Sequence, residues 1–381
     1  MIKITDKAKC CGCGACKNVC PKQCIEMIPD EEGFIYPTVE ESQCIDCGLC
    51  DKICHLKNKF TKNDDYRCSY YGAYNKSKEI MKDSSSGGIF WLLVKSVIEK
   101  SGVVYGVESK DNFYIAHGRA ETLDNCVRFR KSKYLQSNTE MIYGQVKIDL
   151  DNNRIVLFSG TPCQIAALYA YLRKDYNNLL TCDIVCHGVP SKSVFDKYIA
   201  ELDAEMQDKA VSICWRDKRN GWGPNSVSIQ FESGKELVTT SIENPYQKGF
   251  LSNVYLRPSC YECPYAKLPR IGDISLADFW GYEGSLKGNN DNEGLSIVII
   301  SSDKGQKVFD EIKDSCLIEE VTENFVKQKS RHVYIHPKYN RNRDPFFSNF
   351  KKMSFQKLSK KYIYPSMARK TYNKLKKLIG K

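Results

Sequence analysis

Two cysteine runs carry the plainest chemistry in this sequence. One is Cys10-x2-Cys13-x2-Cys16-x3-Cys20-Pro21, and the other is Cys44-x2-Cys47-x2-Cys50-x3-Cys54. Three thiolates at this spacing wrap a tight loop around one iron–sulfur cubane, and the fourth ligates the other cluster of a pair. The pattern assigns Cys10, Cys13, Cys16 and Cys54 to one [4Fe–4S] cluster, and Cys44, Cys47, Cys50 and Cys20 to a second. Gly12, Gly14 and Gly48 let the backbone approach the sulfides. Zinc held by CxxC pairs is the alternative, and it fits two matched runs poorly. His55 stands where a second proline is expected after Cys54, while Cys11 and Cys24 have no assigned role. Such a pair of clusters is a wire, so the substrate must be argued from the rest of the chain.

Four later cysteines stand in suggestive contexts. Cys163 lies in Gly160-Thr161-Pro162-Cys163-Gln164, Cys186 in Val185-Cys186-His187-Gly188, and Cys260-x2-Cys263 precedes Pro264. Ligands gather at strand ends of an α/β sheet. By spacing alone the four fit a cluster, a zinc site or buried thiols.

These groups need a scaffold. Residues 1–60 form a cysteine-rich head, and 61–70 read as a polar linker. From 71 the texture is that of an α/β domain. Ser84-Ser85-Ser86-Gly87-Gly88 opens a helix reaching Ile98. Residues 102–107, 154–158 and 179–185 read as strands, with helices after Pro162 and from Ser193 to Met206. Residues 226–231 and 296–300 read as further strands. The alternation predicts an α/β (α+β) catalytic region with some parallel pairing. The division expected is 1–60, 71–150, 151–310 and a C-terminal extension over 311–381.

The order of motifs resembles the coenzyme F420 hydrogenase/dehydrogenase beta-subunit family. The dicluster head is followed by Ser84–Gly88, Arg130-Lys131-Ser132-Lys133-Tyr134-Leu135-Gln136-Ser137, Gly160–Gln164 and Cys186-His187-Gly188-Val189-Pro190-Ser191. Arg216-Asp217-Lys218, Gly221-Trp222, the CxxC and Gly272–Gly281 complete it, over roughly residues 1–310. The resemblance implies FAD, a third [4Fe–4S] cluster on Cys163, Cys186, Cys260 and Cys263, and a ferredoxin or partner redox subunit as electron carrier. It implies that Ser86, Gly87, Gly88, Lys133, Tyr134, Gln136 and Ser137 line the flavin. Glycine-rich amides at a helix start suit a pyrophosphate, although a plain helix cap reads equally well there and GxGxxG is absent. Lys133 is a cation for the flavin or a phosphate, and His187 a proton donor or a structural hydrogen-bonder. Asp278 reads as a shifted acid or a turn residue, and Trp222 and Trp280 as ring stackers or core. The pocket partner is coenzyme F420 or another small molecule, a sugar or lipid-linked intermediate included. A non-catalytic electron-transfer subunit of a partner enzyme is the alternative, with polysaccharide biosynthesis as one setting.

Of 381 residues, 42% are hydrophobic, which excludes wholesale disorder. The densest apolar stretch, Ile89–Val94, is far short of the about 20 residues a spanning helix needs. No apolar segment at the N-terminus reads as a secretory signal, so a reducing cytoplasmic setting is expected, where nineteen cysteines do not make a disulfide framework. The net charge of +11 equals the charge of residues 351–381, which contain no acid. A basic tail, not a basic body, argues against nucleic acid. Ala368, Tyr372, Leu375 and Ile379 recur at helical spacing among lysines. That amphipathic helix suits an anionic inner membrane face, its own domain or an acidic partner.

Overall fold

The computed structural model describes residues 1–58, 60, 62, 65–223, 225–286 and 292–364. The basic helix expected after Pro365 lies outside them. The head is a hairpin of β1 (Ile25–Pro29) and β2 (Ile35–Val39) with short helices at Ala15–Val19 and Leu49–Lys52. The body is built on β3 (Ser69–Asn75), β4 (Val103–Lys110), β5 (Tyr114–Ala120), β6 (Val156–Gly160) and β7 (Leu179–Ile184). Then come β8 (Ala210–Asp217), β9 (Ser226–Phe231) and β10 (Glu236–Thr240), followed by β11 (Ile274–Asp278), β12 (Ser296–Ile300) and β13 (Cys316–Glu320).

Eight strands make one mixed sheet in the order β13-β3-β12-β11-β7-β6-β4-β5. The central run β4, β6, β7 and β11 is parallel, and the flanks are antiparallel. Strands covered on both faces read as near-continuous apolar runs. Alternate residues here serve two cores. Val156 and Phe158 pack with the helices Ile142–Asp151 and Pro162–Leu172, whereas Leu157 packs with the helices Ile89–Glu99 and Asp303–Ile312. The stretches 71–150, 151–310 and 311–381 all contribute strands to this sheet, because β3 pairs with both β12 and β13. A smaller sheet, β10-β9-β8, forms a separate core with the helix Lys192–Met206 and the C-terminal helices Arg343–Phe350 and Phe355–Leu358.

The head sits on the body. Ala15 and Ile53 pack into the core that holds the helix Pro162–Leu172. Thr139 and Tyr143 hydroxyls donate to the Cys13 carbonyl at 2.9 and 3.0 Å, and Arg343 pairs with Glu32 at the tip of the head hairpin. No helix among the described residues is long and apolar enough to cross a membrane.

Candidate functional site

In the head, Gly14 and Gly48 hold left-handed conformations at φ +72° and +68°, which glycine adopts without a side-chain clash. Each turns the chain into a short helix bearing the third cysteine of its run, Cys16 or Cys50. The runs cross: burial pushes the Cys10 and Cys16 thiols up, and the nearby Cys13 and Cys54 add to it. The second set lines one small cavity, with Cys20, Cys24, Cys44, Cys47 and Cys50 around it. The Ile2 amide donates to Cys50 Sγ at 3.2 Å. All these thiols are free, and Cys47 is exposed. Crossed sets of soft thiolate donors fit paired cubanes.

The body gathers the four later cysteines. Thr161 caps the helix Pro162–Leu172, with Pro162 in its first turn, and the Gln164 side chain accepts from the Thr161 amide at 3.0 Å. Cys163 therefore sits in a helical first turn. The neighbouring Cys11 thiol lowers Cys163 to about 7 against its burial, helped by Thr161 Oγ1 at 3.2 Å. Cys186 follows β7, and its thiol is pushed well up by burial and by the neighbouring Cys260, Cys163 and Cys263. Burial raises Cys260 to about 12 and Cys263 to about 11. The Val189 amide donates to Cys260 Sγ at 3.3 Å. One buried ion pair fixes the two loops: Arg270 donates to Asp183 at 3.2 Å, to Ile184 O just before Cys186, and to Tyr265 O just after Cys263.

Cys11 joins head to body. Its thiol is pushed well up by the neighbouring Cys13 and Cys163, with burial adding. The His55 Nε2 atom lies 3.6 Å from Cys11 Sγ, and its Nδ1 meets the Tyr265 hydroxyl. Cys11, Cys13 and His55 place their ligand atoms within 4.8 Å of one another. The cysteine doublet signals Cys11 in the sequence, but its contact with Cys163 crosses 152 positions and has no local sign.

The residues expected around a flavin divide into two places. The segments 84–88 and 130–134 do meet: the Ser132 amide donates to Ser85 Oγ at 2.8 Å. Ser86 Oγ donates to Leu295 O, and the Gly87 amide is taken by Ser296 Oγ at 2.9 Å. Gly88 caps the helix Ile89–Glu99 at φ +72°. Lys133 Nζ donates to the Arg128 and Arg130 carbonyls, and burial lowers it to about 7. Tyr134 meets Trp215 edge to face and Phe250 at a tilt, with its hydroxyl 3.5 Å from Arg216. Gln136 and Ser137 lie elsewhere, at the seam with the head. Gln136 donates to the Cys11 and Gly12 carbonyls, and Ser137 meets His117 and Gln164.

His187 packs against Phe250 and His332, and burial lowers it to about 4. Trp222 and Trp280 stack on each other at 3.7 Å. Asp278 pairs with Arg216 at 2.6 Å. The Arg216 Nε and Nη2 atoms are buried without a hydrogen-bond partner among the described residues. Lys218, lowered to about 7 by burial, donates to the Met81 and Ser86 carbonyls at 2.8 Å. Arg216 and Lys218 were legible only as part of a motif.

The chain is thus a mixed α/β body behind a head with two ferredoxin-type cysteine runs. Residues 9–58 match the 4Fe-4S dicluster domain, and residues 153–324 match the C terminus of "Coenzyme F420 hydrogenase/dehydrogenase, beta subunit". The two matches lie in the head and in the middle of the body. Among solved structures it is similar to a chain of the xenon-derivatised F420-reducing [NiFe] hydrogenase complex from Methanosarcina barkeri. The identity is 18%, over 77% of this chain and 90% of that one, with a TM-score of 0.46. No curated protein matches the chain.

Proposed function

We propose that this protein is an iron–sulfur flavoprotein oxidoreductase that moves electrons between ferredoxin, or a partner redox subunit, and a small molecule bound beside FAD. The observation that carries this reading is that Cys11 and Cys13 of the head lie close enough to Cys163 for the three thiols to shift one another, which makes the head set and the body set neighbours. Cys47 is exposed, so a carrier docks at the outer set, while Cys10, Cys13, Cys16 and Cys54 face the body. Cys163, Cys186, Cys260 and Cys263 hold a third cubane. FAD supplies the exchange between one-electron and two-electron chemistry. Tyr134, Ser86 and Lys218 shape its pocket, and the Arg216 N–H groups left without a partner among the described residues bind an anionic part of the cofactor or substrate. Coenzyme F420 is one acceptor of suitable chemistry.

One observation favours a second reading, an electron-transfer subunit without flavin. The Gly87 amide and Lys133 Nζ, both expected at a flavin phosphate, already have partners within the protein. Anoxic purification separates the two. Bound FAD, iron for three cubanes and reduction of a small acceptor by reduced ferredoxin support the enzyme. Iron without flavin supports the second reading. Protein that is colourless and bears zinc defeats both.

A further inference from the structure

Four arginines are buried among the described residues, each at most 6% exposed: Arg216, Arg257, Arg270 and Arg343. Three have a carboxylate. Arg216 pairs with Asp278, Arg270 with Asp183, and Arg343 with Glu32. Arg257, at 0% exposure the most deeply sealed, has none among the described residues. Its Nε donates to the Cys10 carbonyl at 3.0 Å, its Nη1 to Gln136 Oε1 at 3.0 Å, and its Nη2 to the Ile35 carbonyl. The rings of Tyr36 and Phe34 lie 4.5 and 5.6 Å from the guanidinium carbon. Asp30, on the same hairpin, is held by Lys7 at 2.7 Å.

Neutral carbonyls and ring faces solvate a guanidinium, but they do not cancel its charge. A buried charge is as a rule paired with an opposite one. The loop that Arg257 grips is the one carrying Cys10 and Cys13. Gly12 stands against it at φ +66°, where an added Cβ would lie 2.8 Å from both terminal nitrogens. Gln136 closes the clamp by donating to the Cys11 and Gly12 carbonyls. Glycine at position 12 is thus what lets the cation reach the cluster loop.

We propose that Arg257 is the charge partner of the cluster held by Cys10, Cys13, Cys16 and Cys54, and that it raises this cluster's reduction potential relative to the one held by Cys20, Cys44, Cys47 and Cys50. A cubane with four thiolates is net negative, and charge and hydrogen bonding around it set its potential. One-electron reduction adds a negative charge and breaks no bond, so a fixed cation nearby favours the reduced form. Electrons entering at the exposed outer set then run downhill toward the body. This inference rests on the ligand assignment of the head clusters, not on flavin or a third cluster.

The test is a redox titration of the full-length, anoxically reconstituted protein with dithionite as electron donor, read by electron paramagnetic resonance. Arg257→Gln should lower the midpoint of one head cluster and leave the other unchanged, while Arg257→Lys should keep it close to wild type. Gln136→Glu places a carboxylate on the guanidinium without removing it. It should lower the same midpoint, and it covers the case in which Arg257→Gln does not fold. Two cubanes with unmoved midpoints in both Arg257→Gln and Gln136→Glu overturn the proposal and leave the ligand assignment standing. So does an equal shift of both midpoints. Absence of the two head cubanes from the wild-type protein overturns the assignment and the proposal together.

Discussion

Arg270 and Asp183 meet at 3.2 Å with both side chains sealed from water, and between them they tie the strand end before Cys186 to the loop after Cys263. Gly272 N–H also donates to Asp183, at 3.0 Å. Removing one partner of a buried pair leaves an uncompensated charge and typically costs about 3–5 kcal/mol. Asp183→Ala should therefore lower stability by that order in a denaturant titration. It should also cut iron at the body set while the head clusters keep their spectrum. Full iron content with wild-type stability would show that the pair does not position these thiols.

Cys260 tests the third set directly. Its Sγ accepts from the Val189 amide, and its thiol lies beside Cys163 and Cys263. Cys260→Ala should lose one cubane's worth of iron and uncouple flavin reduction from reduced ferredoxin. Mössbauer and iron analysis read the first effect, and flavin bleaching reads the second. Unchanged iron and unchanged bleaching would mean that these four cysteines are buried thiols.

The sequence made some of this legible and hid the rest for physical reasons. The helices Ile89–Glu99, Pro162–Leu172 and Lys192–Met206, and strands β4, β6, β7, β9 and β12, announce themselves by local periodicity and by Pro or Ser at their starts. Pairing is a long-range property. Nothing near Ser69–Asn75 says that this strand will lie between β12 and β13, so the chain reads as successive parts where the fold makes one sheet. The same limit governs the site. The cysteine spacing exposes the thiols, but a buried arginine such as Arg257 has no local mark distinguishing it from a solvated one. The run Lys133-Tyr134-Leu135-Gln136-Ser137 reads as one lining segment, yet the chain delivers Tyr134 to Arg216 and Gln136 to Arg257.

His117 gives a dependence on pH. Its ring stacks on Phe158 at 5.1 Å. Nε2 donates to Ser159 O, and Nδ1 accepts from Ser137 Oγ. Burial holds its pKa down at about 4, from an ordinary 6.5. Between these values the unfolded chain binds a proton that the folded chain does not, so stability falls as pH drops through that window. At about 1.4 kcal/mol per unit the loss reaches up to about 3 kcal/mol. His117→Phe keeps a ring on Phe158 and removes the titration. Its unfolding free energy should fall less steeply between pH 6.5 and 4 than that of the wild type. Parallel curves for the two proteins would count against a buried neutral His117.

Cys11 separates a bridge from a ligand. Its buried thiol sits among Cys13 of the head and Cys163 of the body and is pushed well up by both, and it lies outside the matched spacing of the first run. A bridge shortens the path between the two sets without holding iron. Cys11→Ala should therefore keep the full iron content and both head spectra. Reduction of the body set after rapid mixing with reduced ferredoxin should slow several-fold, because a sulfur is lost from the gap and neither terminus has changed. Loss of a cubane in this variant would make Cys11 a ligand. An unchanged rate with intact clusters would mean that electrons leave the head by another route, and the thiol contact would then serve only to dock the head.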